Sequence, residues 1–361
     1  RDELQEKARI ALARTKAGRQ AKSILMIGLR GVGKTVLLDS MRMQAIEMGI
    51  YTLRIEAPES RSLPGILAPQ LRKVLLELSR IEKARDVARR ALGALAGFAK
   101  ALSVKYNDIE VGFDSDIEPI PGLADNGDLE HDLQQLLCSA GEAAAKAGSA
   151  VALFIDELQY VLEDELEALI TALHAAAQQN LPVVLLGAGL PQLTGKMGRA
   201  KSYAERLFEF PFIGELPDDA ARLAIEKPAH DLGVDFTKEA VDLIVHHTRG
   251  YPYFLQEWGK HSWDVAPQSP ITVDDVEEAT ALAISALDAS FFRVRFDRLT
   301  PAEKRYLRAM AELGPGPHRS GDIALVLRRG VTQLGPTRNA IIGKGMIWSP
   351  NHGDTAFTVP L

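Results

Sequence analysis

The sequence predicts an α/β fold: a three-layer sandwich first, an all-helical segment next, and a small domain of three helices and a hairpin last. Three observations carry that expectation. Short apolar or alternating runs at 23–27, 51–56, 151–155 and 183–189 are separated by stretches of helical period, the pattern of a parallel sheet with helices on both faces. Gly28-Leu29-Arg30-Gly31-Val32-Gly33-Lys34-Thr35 fits the pattern GxxxxGK(S/T), and it lies between the first run and a helix-forming stretch. From Thr300 onward, helix starts and stops follow one another closely.

The elements follow in order. Residues 2–20 read as a helix with Leu4, Ala8, Ala11 and Leu12 on one face. Residues 23–27, apolar and β-branched, suit a buried parallel strand. In the loop that follows, two glycines let successive backbone N–H groups turn inward around a polyphosphate. Lys34 reaches the β- and γ-phosphates, and the Thr35 hydroxyl ligates Mg²⁺. The helix beginning near Val36 turns its positive end toward the same phosphates. Gly28, Gly31, Val32, Gly33, Lys34, Thr35 and Val36 are therefore the candidate nucleotide contacts.

Residues 51–56 alternate like the second strand, and 63–78 resume a helical period. The basic, alanine-rich stretch from Arg80 to Lys105 reads as a solvated helix face, with contact to nucleic acid as the alternative. Residues 104–121 read as an insertion, a hairpin at 108–113 and then an acidic loop bearing prolines. A helix at 129–147 leads into the strand 151–155, which ends in Asp156-Glu157. An aspartate there can hold Mg²⁺, and the adjacent glutamate can polarise the water that attacks the γ-phosphate. In open α/β sheets ligands bind at the carboxyl edge, where this pair falls. A helix at 163–177 and the strand 183–189 complete the sheet.

Bulk properties suit a soluble machine with a sizeable core. The chain has 361 residues, enough for two or three domains, with 46% hydrophobic and 25% charged residues. A net charge of −6 carries no global nucleic-acid signature. The single cysteine, Cys138, falls on the apolar side of a helical stretch and reads as core. There is no apolar run of membrane-spanning length and no signal peptide, so a cytoplasmic location without membrane partners is expected. The chain opens at Arg1 and stops at Leu361 inside what reads as a strand, so both ends are expected to be clipped.

The C-terminal part carries the second informative pattern. Thr300-Pro301-Ala302-Glu303 combines a hydroxyl cap, proline at the first helical position and an acid three residues after the cap. Ser320 is expected to cap a second helix through Ile323 and Leu327, and a third begins near Thr332 or Gln333 and ends at Gly343. Strands at 346–349 and 355–359 flank the turn Pro350-Asn351-His352-Gly353-Asp354. Three short helices and a hairpin predict a winged helix-turn-helix domain. From Thr300 onward eight bases face four acids, a net +4 on a chain of −6, so the remainder carries −10. A basic domain on an acidic body suits duplex DNA. In a winged helix the third helix enters the major groove and the wing reaches the backbone. Gln333, Thr337, Arg338 and Asn339 are then expected to face bases or phosphates, and Arg328, Arg329, Lys344 and His352 to face phosphates. Solvated charges on a winged helix used for protein contacts are the competing account.

This order of pieces resembles the AAA+ ATPases, nearest the origin-recognition and archaeal-ATPase branch, with features of the STAND signalling class. The family's Gly-Arg-x-x-Glu box is represented only by Arg1-Asp2-Glu3-Leu4. Ser202-Tyr203-Ala204-Glu205-Arg206-Leu207-Phe208 is similar to the segment that holds an arginine finger, which implies that Arg206 stabilises γ-phosphate charge in a neighbouring subunit. A salt bridge from Arg206 to Glu205 or Glu209 is the alternative. Residues 216–232 and 236–248 look like the helical lid, and Arg249-Gly250-Tyr251-Pro252 looks like the Gly-x-Pro turn that contacts the base, through Tyr251 and Pro252.

The resemblance implies a three-layer P-loop NTPase core at 1–213, a helical lid at 214–290 and a winged-helix domain at 291–361. It implies ATP and Mg²⁺ as ligands, with Lys34, Glu157 and Arg206 catalytic and Thr35 and Asp156 at the metal. Adenine is the default base, because no Asn/Thr-Lys-x-Asp motif is present. Duplex DNA, and self-association or another ATPase subunit, are the implied partners. One departure stands out. The family ends its fourth strand in a polar residue that senses the γ-phosphate, whereas here Gly187-Ala188-Gly189-Leu190-Pro191 leaves Gln192 as the nearest polar side chain. A slow ATPase, or a nucleotide-gated switch whose winged helix makes protein contacts, fits that departure.

Overall fold

A computed structural model describes residues 1–57, 61–103, 117–202 and 204–359. The chain divides into two compact units, one of residues 1–28 and 34–212, the other of residues 29–33 and 213–361.

The first unit holds α1 (Asp2–Lys16), β1 (Ser23–Gly28), α2 (Lys34–Glu47), β2 (Tyr51–Glu56), α3 (Leu63–Ser79), α4 (Arg85–Leu102), α5 (Leu129–Lys146), β3 (Val151–Asp156), α6 (Glu163–Gln178), β4 (Val183–Gly189), α7 (Gln192–Ala200), α8 (Ala204–Leu207) and β5 (Phe208–Glu209). The next strand, β6 (Phe212–Ile213), marks the border between the units. The strands run in the order β2-β3-β4-β1-β5, all parallel. β1 and β3 are buried along their whole length, which is why their residues read as unbroken apolar runs. The register sets Glu56 beside Asp156 and Ile27 beside Gly189, so the carboxyl ends of the strands share one edge.

Helix starts follow local chemistry. The Ser62 hydroxyl accepts from the Gly65 amide (3.1 Å) with proline in the first turn of α3, and the Asp128 carboxylate accepts from the His131 amide (2.8 Å) at α5. In α4 nine consecutive residues, 91–99, are buried while Arg85, Arg89 and Arg90 face solvent. Gly93 is required there, because a Cβ at that position would lie 2.6 Å from Ile120. Cys138 is buried in α5 and unpaired with any cysteine.

One expectation changes. The first helix stops at Lys16, with Gly18 at φ 68° turning the chain, and does not reach residue 20. The fifth strand and the helices α7 and α8 were not legible, since two residues of strand and one turn of helix carry no periodicity. The expected hairpin at 108–113 lies outside the described residues, and 117–121 are loop and turn.

The second unit contains α9 (Asp218–His230), α10 (Lys238–Thr248), α11 (Pro252–Val265), α12 (Val273–Ala286), a π-helical segment at Leu287–Phe292, α13 (Arg293–Phe296), α14 (Pro301–Glu312), β7 (His318–Arg319), α15 (Ser320–Leu327), α16 (Val331–Gly343), β8 (Ile347–Trp348) and β9 (Asp354–Phe357). Trp258 and Phe254 are fully buried among α9–α12. The last six elements enclose their own core of Tyr306, Leu307, Met310, Ile323, Leu334, Ile341 and Ile347. A three-stranded antiparallel sheet, β7-β9-β8, closes one side of that core.

The Thr300–Glu303 capping box forms as the sequence predicts: the Thr300 amide donates to Glu303 Oε2 at 2.6 Å. Ser320 does not cap α15. Arg319 holds the cap position, and the Ser320 hydroxyl donates to the Gly353 carbonyl at 2.9 Å, tying the helix start to the hairpin turn. Among the described residues no helix is long and apolar enough to cross a membrane.

Candidate active site

At the carboxyl edge of the first unit, β1 ends in Gly28 and the chain enters the loop. Gly31 and Gly33 take φ 78° and 87°, which L side chains rarely adopt, so the two glycines are conformational requirements of the turn. Lys34 is buried, and its Nζ donates to the Gly28 carbonyl at 3.0 Å. The Thr35 hydroxyl donates to Asp156 Oδ2 at 2.7 Å, with Asp156 buried at the end of β3. Thus residues 121 positions apart in sequence form one hydroxyl–carboxylate pair. Val36, in the first turn of α2, is 73% exposed.

Glu157 stands in the left-handed region (φ 54°, ψ 34°), and its amide donates to Asp156 Oδ1 at 2.9 Å. A non-glycine residue held there is locally strained, and such positions concentrate at functional sites. The Gln159 amide group donates to Glu157 Oε2, and Gln159 Oε1 accepts from the Leu190 amide at 3.0 Å. Lys196 Nζ in turn donates to the Gln159 carbonyl at 3.1 Å. Burial holds the Lys196 ammonium below the usual lysine range, against the pull of Glu163.

The glycine-rich end of β4 now has a reason. A Cβ on Gly187 would lie 2.5 Å from Leu158, and one on Gly189 would lie 2.6 Å from Leu193 and 3.1 Å from Gln159 Oε1. The strand is bare where the turn after Glu157 lies across it, and Gln159 from that turn holds the Glu157 carboxylate. Among the described residues, Gln192 Oε1 is buried without a hydrogen-bond partner.

Arg54 on β2 also borders the pair. Its Nε donates to Asp39 at 2.8 Å, and another of its nitrogens lies 3.7 Å from Asp156 Oδ2. Asp39 is one turn beyond Thr35 on α2. Arg54, Asp39 and Gln159 escaped the sequence reading; a polar residue inside an alternating strand was the only signal for any of them.

Arg206 in α8 is exposed and, among the described residues, makes no ion pair with Glu205 or Glu209. Lys201, one turn earlier, bridges Glu167 (2.6 Å) and Glu130 (2.9 Å). Its ammonium is pushed up to about 12, first by the Glu167 bond and then, against burial, by Glu130.

In the second unit, residues 29–33 meet the turn before α11. The Tyr251 hydroxyl donates to the Arg30 carbonyl, and the Tyr253 amide donates to the Gly31 carbonyl at 3.1 Å. A Cβ on Gly31 would lie 3.0 Å from Tyr253 and 3.1 Å from Tyr251, so this glycine is also a close-approach position. Burial, then the Glu215 carboxylate, push the Tyr251 phenol well above its ordinary value, so it remains a donor. Gly250 (φ 71°) admits the Leu216 carbonyl, which a Cβ would meet at 2.3 Å, and Pro252 opens α11. Tyr251, expected to contact a base, has its hydroxyl on the loop backbone.

The basic residues of the terminal elements separate into two groups. Arg328, Arg329 and His352 are exposed. Arg338 is turned to the hairpin, donating to Thr355 Oγ1 (2.8 Å), Ser349 Oγ (2.9 Å) and the Asp354 carbonyl (2.8 Å). Lys344 donates to buried Glu303 (2.7 Å) and to the Arg298 carbonyl (2.9 Å). Gln333 Oε1 accepts from the Gly330 amide at 3.3 Å, at the start of α16. Thr337 is half-buried and Asn339 exposed. Arg338 and Lys344, both expected at a DNA interface, each carry hydrogen bonds within their own domain.

Comparison with known proteins gives the site its family. Residues 1–186 match the AAA ATPase domain family, and residues 289–361 match a domain of unknown function, DUF8462. No curated protein matches this sequence. Among solved structures, the Walker-type ATPase paby2304 of Pyrococcus abyssi is similar at TM-score 0.55 and 14% identity, over 100% of this chain and 93% of that one. The Aeropyrum pernix ORC1 protein in complex with DNA is similar at TM-score 0.50 and 14% identity, over 99% and 89%. A Thermotoga maritima RuvB variant is similar at TM-score 0.50 and 15% identity, over 99% and 91%. At these identities the likeness concerns the fold. The first-unit match spans more than half the chain and includes the phosphate loop and the strand ending in Asp156. The chain belongs to the AAA ATPase domain family and is a nucleotide-binding, ATP-hydrolysing enzyme of the P-loop type.

Proposed function

We propose that this ATPase uses ATP to control a grip on duplex DNA, exerted through a C-terminal winged helix. In this reading the core spans 1–213, the lid 214–290 and the winged helix 291–361; the family match over 289–361 supports the last border. Bound Mg²⁺ would supply charge neutralisation of the phosphates, and Thr35 and Asp156 would hold it; their 2.7 Å pairing supports that fit. Lys34 leaves the Gly28 carbonyl to grip phosphate oxygens, while the amides of Gly31, Val32, Gly33 and Val36 line them. Glu157 accepts a proton from the attacking water once Gln159 releases it. Gln159 thus restrains the base, which accords with slow turnover. Arg206, exposed, serves a neighbouring subunit's phosphate.

The observation that carries the DNA reading is the helix-strand-helix-helix-strand-strand order of 301–357, with Arg328 and Arg329 exposed between α15 and α16. The similar Aeropyrum pernix ORC1 was solved with DNA. Binding to a fluorescent duplex across a salt series, with and without ATP·Mg²⁺, tests it. Binding that weakens steeply with salt and tightens with ATP is expected. No binding at low salt in either state would sink the reading.

A second reading has its own support. Leu325, Val326 and Val331 are 77%, 39% and 49% exposed around the same turn, an apolar surface suited to protein contacts. If duplex binding fails, the STAND-like switch, with the winged helix as a protein-contact module, takes its place.

A further inference from the structure

The second unit contains a cavity of about 1130 Å³ to which neither reading above assigns a ligand. It is lined by α14, the loop after it and strands β8 and β9 on one side, and by α13 and the turn before α11 on the other. Among the described residues five cations reach it (Arg249, Arg295, Lys304, Arg305 and Arg308) against one acid, Glu215. Arg249 and Arg305 are exposed, and among the described residues neither makes an ion pair. The pair that Arg308 makes with Glu312 (3.2 Å) is on the surface and readily exchanged.

Aromatic rings share the lining. Trp348 and Phe357 are half-buried on adjacent strands, and Phe296 is 45% exposed. The Lys304 ammonium sits 4.3 Å over the Phe296 ring, so cations and ring faces are interleaved rather than segregated. Partly exposed rings beside Arg249 and Arg305, which make no ion pair among the described residues, match a ligand with a repeating anion and flat faces that are not already stacked. Paired bases in a duplex have no free face to offer, whereas those of a single strand do. The volume also exceeds the roughly 300–1,000 Å³ that a drug-sized molecule fills.

We propose that this cavity binds a single strand of nucleic acid, with Arg305 and Arg249 on its phosphates and Trp348 stacked on a base. The site is separate from Arg328 and Arg329, which do not line it. The chain would then hold duplex and unpaired strand on two surfaces of one unit.

The test uses the full chain and a fluorescein-labelled oligothymidylate of about 12 nucleotides. Salt-sensitive binding is expected, with quenching of tryptophan emission that disappears in Trp348→Phe while affinity is kept. Arg305→Glu, at an exposed position, should weaken oligothymidylate binding about tenfold and leave basal ATP turnover unchanged. Trp348→Ala should do likewise, and Arg328→Ala/Arg329→Ala should leave the strand bound. Three results would overturn the proposal: no binding by the wild type, equal affinity in wild type and Arg305→Glu, or free ATP that quenches Trp348 and displaces the strand. The last would make the cavity a nucleotide pocket. Failure of duplex binding alone would leave this proposal standing, because the oligothymidylate arm is read separately.

Discussion

The edge of the parallel sheet and the terminal three-helix domain both drew site predictions from polar residues in a recognisable pattern, but the outcomes differ. At the sheet edge, Lys34, Thr35, Asp156 and Glu157 converge, with Thr35 bonded to Asp156 and the Glu157 amide bonded to Asp156. In the terminal domain the cations divide, Arg328 and Arg329 toward solvent, Arg338 and Lys344 into the domain's own frame. The difference is physical. A phosphate loop is defined by backbone geometry that its own glycines impose, so its residues arrive together wherever the flanking strand and helix form. A guanidinium on a helix is defined by what lies within reach of a long side chain, and that is a tertiary matter.

The largest expected effect sharpens the sheet-edge side of the comparison. Lys34→Ala should abolish ATP binding and turnover in equilibrium binding and phosphate-release assays. Glu157→Gln should keep binding while turnover falls about 10²–10⁴-fold. Normal hydrolysis in either variant would show that the converging residues are not the catalytic ones.

A second pair would break the contrast within the terminal domain if it failed. Arg328→Ala/Arg329→Ala should lower the salt slope of duplex binding by about 2 without altering thermal stability. Arg338→Met should leave the slope alone and destabilise the domain by about 2 kcal/mol, through loss of its hydrogen bonds to the hairpin. Thermal unfolding and salt titration of the two variants together decide it; a reduced slope in Arg338→Met would return that residue to the interface.

The smallest effect is a pH dependence. Burial alone would raise the Glu303 carboxyl, but the bonds from Lys344 and Thr300 outweigh it and hold the group below its ordinary 4.5. A carboxylate lowered in the folded state contributes stability above its unfolded value and loses it as pH falls through the folded one. The terminal domain should therefore keep the full stabilisation from this group at neutral pH and lose it only below about 4.5. In Lys344→Met the acid transition should begin at higher pH, since burial is then less opposed. Circular dichroism during acid titration checks this, and an unchanged midpoint would mean that the pair does not matter to stability.

Most of the sheet was legible because its strands are buried on both sides and therefore apolar throughout. β5 was not, since its two residues are held by pairing with β1 rather than by any pattern of their own. Within the site, Gln159 was illegible because nothing in its neighbourhood is periodic; it matters only because the chain folds back across Gly189. The bareness of β4 read as a missing polar residue, and its cause is the clearance that Gly187 and Gly189 give to Leu158, Leu193 and Gln159.

By itself the sequence determined the phosphate loop, the Asp156-Glu157 strand end and the Thr300–Glu303 cap, because each is decided by neighbours within a few residues. Only the tertiary structure decided which side chain lies against Glu157, that Tyr251 reaches the Arg30 carbonyl, and which basic residues of the terminal domain remain available to a partner. Those outcomes join segments far apart in the chain, and a local pattern carries no information about what a long polar side chain will meet once the core has formed.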